Sequence, residues 1–222
     1  MNLKQQVGIE AAKYVEEGMI VGLGTGSTAY YMIEELGRRV KEEGLSIVGV
    51  PTSGKSEEQA KSLGIKLKDI NDIPFIDVTI DGADEFDDAL NGIKGGGGAL
   101  LFEKIVANMS KKVIWIVDDS KKVETLGMFP LPLEVIPFGS QALYVELKLK
   151  GYRPEFRMSD GQKFKTDSGN YILDLHLTKI SDAQDLAQEL KQMIGVVEHG
   201  LFIDICDLVI MAGSEGIQKI TK

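Results

Sequence analysis

One cysteine, two histidines, one tryptophan and no long apolar run are found in this chain, and each scarcity excludes something. A lone Cys206 rules out an internal disulfide framework and fits a reducing compartment. His176 and His199 belong to no ligand-spaced cluster, which argues against a metal centre and against histidine-based chemistry. Basic clusters are missing as well. The 25 Lys and Arg against 34 Asp and Glu leave a net charge of −9, so nucleic acid is not expected as the main partner, although a local cationic pocket remains open. The opening MNLKQQVGIEAAKYVEEG reads as an amphipathic helix without a long apolar stretch. Neither a signal peptide nor a membrane span is expected, and the default location is cytoplasmic. There is no internal repeat and no low-complexity segment.

What is present is ordinary for a soluble globular protein: 43% hydrophobic and 27% charged residues in 222. That length suits one large domain, or one domain carrying a smaller insert. Leu3 to Glu17 reads as a helix closed by Gly18, and Met19 to Leu23 as a short strand. The glycine turn Gly24-Thr25-Gly26-Ser27-Thr28 then feeds a helix running to about Glu43. Further strands are expected at 45–50, 66–67, 75–80 and 113–117, with helices at about 53–62 and 99–109 between them. Strands alternating with helices imply a mostly parallel, Rossmann-like α/β sheet with helices on both faces. From Gly127 the pattern changes to β-α-β-β-α-β, with strands at 133–137, 153–158, 171–177 and 196–202 and helices at 141–150 and 182–193. This is the order of an inserted ferredoxin-like α+β domain. Leu208 to Met211 and a helix from Ser214 to Ile220 then return to the first domain. Residues 1–127 and 204–222 are thus assigned to the larger domain and 128–203 to the insert. Trp115, Met128 and the aromatic residues are expected in the cores, and Cys206 as a small buried hydrophobe.

Two stretches carry chemistry. Gly24-x-Gly26-x-x-Ala29 formally matches a dinucleotide fingerprint, yet the next strand ends in Val50-Pro51-Thr52-Ser53 rather than in the acidic residue that would hold a ribose. The hydroxyls of Thr25, Ser27 and Thr28 at a helix start suit a single phosphate better, and a ligand-free strand-to-helix turn fits the same residues. The second stretch is DGADEFDDALNGIKGGGGALLFEK at 81–104. Carboxylates at the end of a buried strand, followed by glycines that feed a helix, mark a small-molecule site in such a sheet. A solvated acidic loop with a flexible tether is the competing reading. Against it, Asp81 directly follows the hydrophobic run, and a tether would more often mix serine with its glycine. Glu103 lies one to two turns beyond the glycines, a position that by spacing alone faces either the site or solvent.

GLGTGST at 22–28, DGADE at 81–85, KGGGGALLFEK at 94–104, DDSKKV at 118–123 and FPLPLEVIPF at 129–138 together resemble type A ribose-5-phosphate isomerase, as do TDSGNYILD at 166–174 and GVVEHGLF at 195–202. The resemblance runs end to end and in the same order. It implies interconversion of ribose 5-phosphate and ribulose 5-phosphate in the pentose phosphate pathway, without metal or organic cofactor, by a homodimer or dimer of dimers. By motif, Glu103 resembles the base that shuttles the proton between C1 and C2, and Asp81 the group that assists ring opening. Lys94 and Asp84 resemble the residues that hold the enediolate and its hydroxyls. Thr25, Gly26, Ser27, Thr28 and Lys121 fall where the family binds substrate and phosphate, with Gly82, Ala83, Gly95, Gly96 and Gly97 completing the substrate set. Lys4 lies where the family's first helix approaches the phosphate, and Phe102 stands where the family commonly carries a polar residue. A non-catalytic sugar-phosphate sensor would keep the phosphate turn but would need no proton-transfer set. Lactone hydrolysis or acyl-CoA transfer through a glutamate is a weaker third reading on the same fold.

Overall fold

The computed structural model describes residues 2–222. In chain order it contains α1 (Leu3–Ala12), β1 (Ile20–Leu23), α2 (Ala29–Glu42), β2 (Val48–Pro51), α3 (Gly54–Ser62), β3 (Lys66–Leu67) and β4 (Val78–Asp81). Next come β5 (Glu85–Phe86), β6 (Gly92–Ile93), α4 (Leu100–Asn108), β7 (Val113–Asp118), β8 (Leu131–Val135), α5 (Ser140–Leu149) and β9 (Pro154–Phe156). The remainder is β10 (Met158–Ser159), β11 (Gln162–Lys163), β12 (Tyr171–Leu175), α6 (Ala183–Gln192), β13 (Val196–His199), β14 (Leu201–Phe202), β15 (Leu208–Gly213) and β16 (Gly216–Ile220). The chain divides into two units, one of Met1–Ala83, Phe102–Lys121 and Asp204–Lys222, the other of Asp84–Leu101 and Lys122–Ile203.

The first unit is built on a seven-stranded sheet of order β16-β15-β7-β4-β1-β2-β3, in which only β16 runs antiparallel to its neighbour. From β1 the chain steps outward to β2 and β3, then returns to the other side of β1 for β4 and β7. The carboxyl ends of β1 and β4 therefore form the topological switch point, where open α/β sheets bind ligands. The central strands are buried on both faces, and alternate residues face opposite sides. Val21 and Leu23, Val78 and Ile80, Ile114 and Ile116, and Ile210 and Ala212 join one cluster with Val7 and Ala11 of α1 and Met32, Ile33 and Leu36 of α2. On the other side, Val106 of α4 packs with Val50, Ile73 and Ile76. A Cβ on Gly22 would lie 2.7 Å from Val106 Cγ1, so glycine lets α4 approach the β1 backbone.

Three details of this unit depart from the sequence-based expectation. The first helix stops at Ala12 rather than Glu17: the Tyr14 and Val15 N–H groups bond the Ala11 and Ala12 carbonyls in tighter turns, and Glu17 and Gly18 then bond the Ser46 backbone, each at 2.8 Å. Regular pairing in β4 begins at Val78, with Ile76 contributing an isolated bridge to Ser110, so Asp81 is the last residue of the strand. Residues 214–220 do not form a helix. A turn with Gly216 at φ +94° sends the chain back as β16, which pairs from Gly213↔Gly216 to Val209↔Ile220 and covers an open sheet edge.

In the second unit β8-α5-β9-β12-α6-β13 form a four-stranded antiparallel sheet of order β13-β8-β12-β9, the ferredoxin-like arrangement. Its core joins Leu133 and Val135 of β8 and Leu173 and Leu175 of β12 to Leu143, Leu147 and Leu190 of the helices. The expected single strand 196–202 is divided at Gly200 into β13 and β14, which belong to different sheets. A Cβ on Gly200 would lie 2.4 Å from the Lys94 carbonyl oxygen, and this backbone approach is where the chain changes sheet. Trp115 and Cys206 are buried as expected, but Met128 is 72% exposed, sitting in the connection ahead of β8 rather than on a core-facing strand position.

Candidate functional site

At the switch point of the first unit, the buried Asp81 carboxylate organises the turn that follows β1. Its Oδ1 accepts the N–H of Thr25 at 2.9 Å and that of Gly82 at 2.8 Å. A Cβ on Gly24 would meet Asp81 Oδ1 at 2.3 Å and Asp81 Cα at 2.6 Å, so only glycine lets the turn close on this side chain. Thr25 Oγ1 donates to Ser53 Oγ at 2.7 Å and also lies 2.7 Å from Thr52 Oγ1, which ties the turn to the end of β2. Thr52 and Ser53 entered the sequence argument as the opening of a helix, which Ser53 caps, and as evidence against a dinucleotide; their hydroxyls are also structural partners of the turn. Gly26 and Ser27 are exposed, and Thr28 at the N-cap of α2 makes no side-chain capping bond. This is the geometry of a helix start open to an anion. Lys4 of α1 brings its ammonium 2.8 Å from Ser27 Oγ. A cavity of about 1180 Å³ opens over this turn, lined among others by Lys4, Thr25, Gly26, Ser27, Lys55 and Asp118.

Glu103, also in the first unit, is 4% exposed. Buried positions in α4 are Leu100, Glu103, Val106 and Ala107, whereas Ile105 is 43% exposed. Of the apolar residues α4 offers, Leu100 and Ala107 face inward as the pattern allows, Ile105 faces outward, and Glu103 lies on the inward face that spacing alone left undecided. Phe102 lines a different cavity of about 600 Å³ with Val50, Pro51, Ile70 and Ile105. Lys121 ends the helical turn Asp119–Lys121 that follows β7, half-buried at the carboxyl end of the sheet.

In the second unit, Asp84 holds the glycine run. Its Oδ2 accepts the Gly96 N–H at 2.8 Å, and a Cβ on Gly96 would lie 2.6 Å from Asp84 Oδ1. Gly96 and Gly97 are exposed, whereas Lys94 is 3% exposed, with its ammonium 5.4 Å from the centre of the Phe202 ring. The carbonyls of Gly95 and Gly96 both accept from Arg157 Nη1, at 2.9 and 3.1 Å. Arg157 was not among the sequence candidates, since its partners in the glycine run lie 62 and 61 residues away and no local pattern marks it.

The rest of the acidic stretch is structural. Buried Glu85 accepts the backbone N–H groups of Gly127 and Phe129, Asp87 Oδ1 accepts those of Ala89 and Asn91, and Asp88 pairs with Lys122. Glu85 and Asp87 hold backbone in place, which counts against the solvated-loop reading, while Asp88 is exposed. Burial pushes the Cys206 thiol up to about 12, so it is no thiolate nucleophile at neutral pH. No helix among the described residues is long and apolar enough to cross a membrane.

Residues 48–216 match the family ribose 5-phosphate isomerase A (phosphoriboisomerase A). The ribose-5-phosphate isomerase A of Streptococcus agalactiae serotype III is 60% identical over 220 residues, 99% of either chain. That of Enterococcus faecalis is 60% identical over 217 residues, 97% of this chain and 96% of its own. Among solved structures, a D-ribose-5-phosphate isomerase in complex with phospho-erythronic acid superposes with a TM-score of 0.97 at 40% identity, covering 100% of both chains. The ribose 5-phosphate isomerase of Plasmodium falciparum gives 0.96 at 39% identity, over 99% of this chain and 98% of that one. On sequence and structure together, the chain belongs to the ribose 5-phosphate isomerase A family.

Proposed function

We propose that Glu103 is the proton-transfer base with which this chain interconverts ribose 5-phosphate and ribulose 5-phosphate. Membership of the family makes the chain an aldose–ketose isomerase. The observation that carries the assignment of the base is the burial of Glu103 on the inward face of α4, directly after the glycine run. In the open-chain aldose, a base removes the proton on C2. The C–H electron pair becomes the C1–C2 double bond of an enediolate, and the carbonyl pair moves to O1. Return of the proton to C1 and passage of the O2 hydroxyl proton to O1 give the ketose. A carboxylate suits both transfers when the charge developing on oxygen is stabilised.

In this reading Asp81 assists ring opening. Lys94, as a buried ammonium, stabilises the enediolate oxygen, and Asp84 holds a hydroxyl and the glycine turn. Thr25, Gly26, Ser27 and Thr28, with Lys121 and Lys4, receive the phosphate, while Gly82, Ala83, Gly95, Gly96 and Gly97 offer backbone to the sugar. Two facts support a phosphate at the 25–28 turn: the uncapped start of α2 and the Lys4 ammonium beside Ser27. A homodimer or dimer of dimers and a cytoplasmic location are part of the same proposal. The test is to incubate the pure protein with ribose 5-phosphate and follow ribulose 5-phosphate by a coupled assay, with and without EDTA. Turnover indifferent to chelation is expected. No turnover overturns the proposal, and turnover lost on chelation and restored by one divalent ion overturns its cofactor-free chemistry.

A further inference from the structure

We propose that Arg157, locked by Asp174, is the positioning residue that aims the 95–98 glycine turn at the substrate oxygen that becomes anionic, an inference that rests on the isomerase reading above. Arg157 Nε and Nη2 donate to Asp174 Oδ2 and Oδ1 at 2.9 and 2.5 Å, a two-pronged pair with both side chains mostly buried. The pair fixes the plane of the guanidinium, and Nη1 reaches the carbonyls of Gly95 and Gly96. Gly95 O also accepts the Gly98 N–H at 2.9 Å, closing the turn, with Gly95 at φ +101° and Gly98 at φ +84°.

Peptide planarity does the rest. No peptide bond among the described residues is cis, and in a trans peptide the N–H points opposite to the C=O. A Gly95 carbonyl held on Arg157 must send the Gly96 N–H the other way, and it lands on Asp84 Oδ2 at 2.8 Å. The Gly96 carbonyl is held on the same nitrogen, so the Gly97 N–H is likewise turned away from the guanidinium, at an exposed position. Consecutive glycines resist a peptide flip only weakly, because both signs of φ are open to them. A flipped 96–97 peptide would present its carbonyl oxygen where the N–H now points and would repel a developing oxyanion. Arg157 removes that alternative, as a preorganised donor requires. Lysine cannot replace it, since a point charge lacks the planar fork that serves the carboxylate and two carbonyls together.

The experiment compares Arg157→Lys, Arg157→Met and Asp174→Asn with the parent in steady-state kinetics on ribose 5-phosphate. Affinities for phospho-erythronic acid, a phosphorylated polyol that carries an anionic carboxylate, and for inorganic phosphate are measured alongside. Circular dichroism and melting monitor the fold. In the Arg157 variants kcat is expected to fall at least about 10-fold with KM within about threefold, since losing one oriented donor outright costs roughly 10²–10³. Phospho-erythronic acid should weaken in step with kcat while inorganic phosphate binds as before, and Asp174→Asn should show the same pattern more mildly. Parental kcat and phospho-erythronic acid affinity in folded Arg157 variants overturn the proposal, as does equal weakening of both ligands. Should the Arg157 variants not fold, parental behaviour of Asp174→Asn overturns it. A parent that binds both ligands but does not turn over ribose 5-phosphate refutes the isomerase reading instead, and the two-ligand comparison still decides whether Arg157 aims the turn.

Discussion

Each unit contains a glycine turn whose amide is caught by an aspartate, and the two aspartates are three residues apart in the chain. Asp81 takes the Thr25 N–H in the first unit, and Asp84 takes the Gly96 N–H in the second. In both turns glycine stands where a Cβ would strike the carboxylate. The difference lies in what backs each turn. The 24–28 turn runs into the 14-residue helix α2, whose dipole and first turn favour an anion, with the Lys4 ammonium beside Ser27. The 95–98 turn is instead braced through its carbonyls by Arg157. A phosphate that keeps its charge throughout the reaction suits a permanent helix field. An oxygen that gains charge only during the reaction needs individual peptides held in one orientation.

In the proposed mechanism neither turn supplies the base, and the largest expected effect tests that separation. Glu103→Gln keeps shape and reach while removing the basic oxygen. It should lower kcat by at least about 10²-fold with little change in KM. Solvent deuterium should enter C1 and C2 during turnover by the parent, and incorporation should fall with the rate in the variant. Near-parental kcat in a folded Glu103→Gln protein would transfer the role to Asp81 or Asp84.

The two glycines should then fail in different ways. A Cβ on Gly24 meets the Asp81 backbone as well as its carboxylate, so Gly24→Ala should destabilise by about 1–3 kcal/mol in urea unfolding. A Cβ on Gly96 meets the Asp84 carboxylate, which can rotate aside. Gly96→Ala should therefore cost about 1 kcal/mol or less in stability while lowering turnover. Equal stability losses would break the distinction between a turn closed on backbone and one closed on a side chain.

The strand–turn–helix units of the first unit were legible because their hydrophobic periods and glycine punctuation are local. The ferredoxin-like order was legible for the same reason. What escaped depends on partners far along the chain. Ile217 and Ile220 are spaced as on a helix, and only pairing with β15 makes that segment a strand. Arg157 reads as an ordinary strand residue until Gly95, Gly96 and Asp174 are brought to it. Glu103 was legible as a candidate, but its inward orientation follows from which face of α4 packs.

Lys121→Ala tests the phosphate side at smaller scale. Loss of one charge-assisted contact should weaken ribose 5-phosphate binding by about 1–3 kcal/mol, with kcat less affected. Free ribose should be a very poor substrate for the parent, because remote phosphate binding helps position the reacting end. A variant that binds ribose 5-phosphate as tightly as the parent removes Lys121 from the phosphate site.

The smallest expected effect concerns a buried carboxylate that braces the second unit by hydrogen bonds to side chains rather than to backbone N–H groups. Glu134 of β8 is 1% exposed, and its Oε1 accepts from Thr166 Oγ1 and Asn170 Nδ2, both at 2.9 Å. Burial pushes its carboxyl above the ordinary value of 4.5, and the charges of Asp167 and Glu198 add to this while the two hydrogen bonds oppose it. The native state thus retains a proton at pH values where the unfolded chain has released it. More protons bound in the native state make stability fall as pH rises. The contribution of Glu134 is fully present below about 4.5 and is lost as pH climbs through the raised native value. Glu134→Gln removes that loss and keeps a carbonyl for both donors, so at pH 7 its stability should lie within about 1 kcal/mol of the parent. The informative quantity is the stability of the variant minus that of the parent, from urea unfolding between pH 4 and 8. It should become more positive as pH rises, the reverse of what replacing a carboxylate held below its ordinary value would give. Glu189, lowered by its hydrogen bonds to Lys150 and Tyr152, is the control in the same unit. Its Gln variant should lose ground to the parent over the same climb. Parallel trends for Glu134→Gln and Glu189→Gln would show that Thr166 and Asn170 outweigh burial at Glu134, and that the carboxylate braces its loop as an ion.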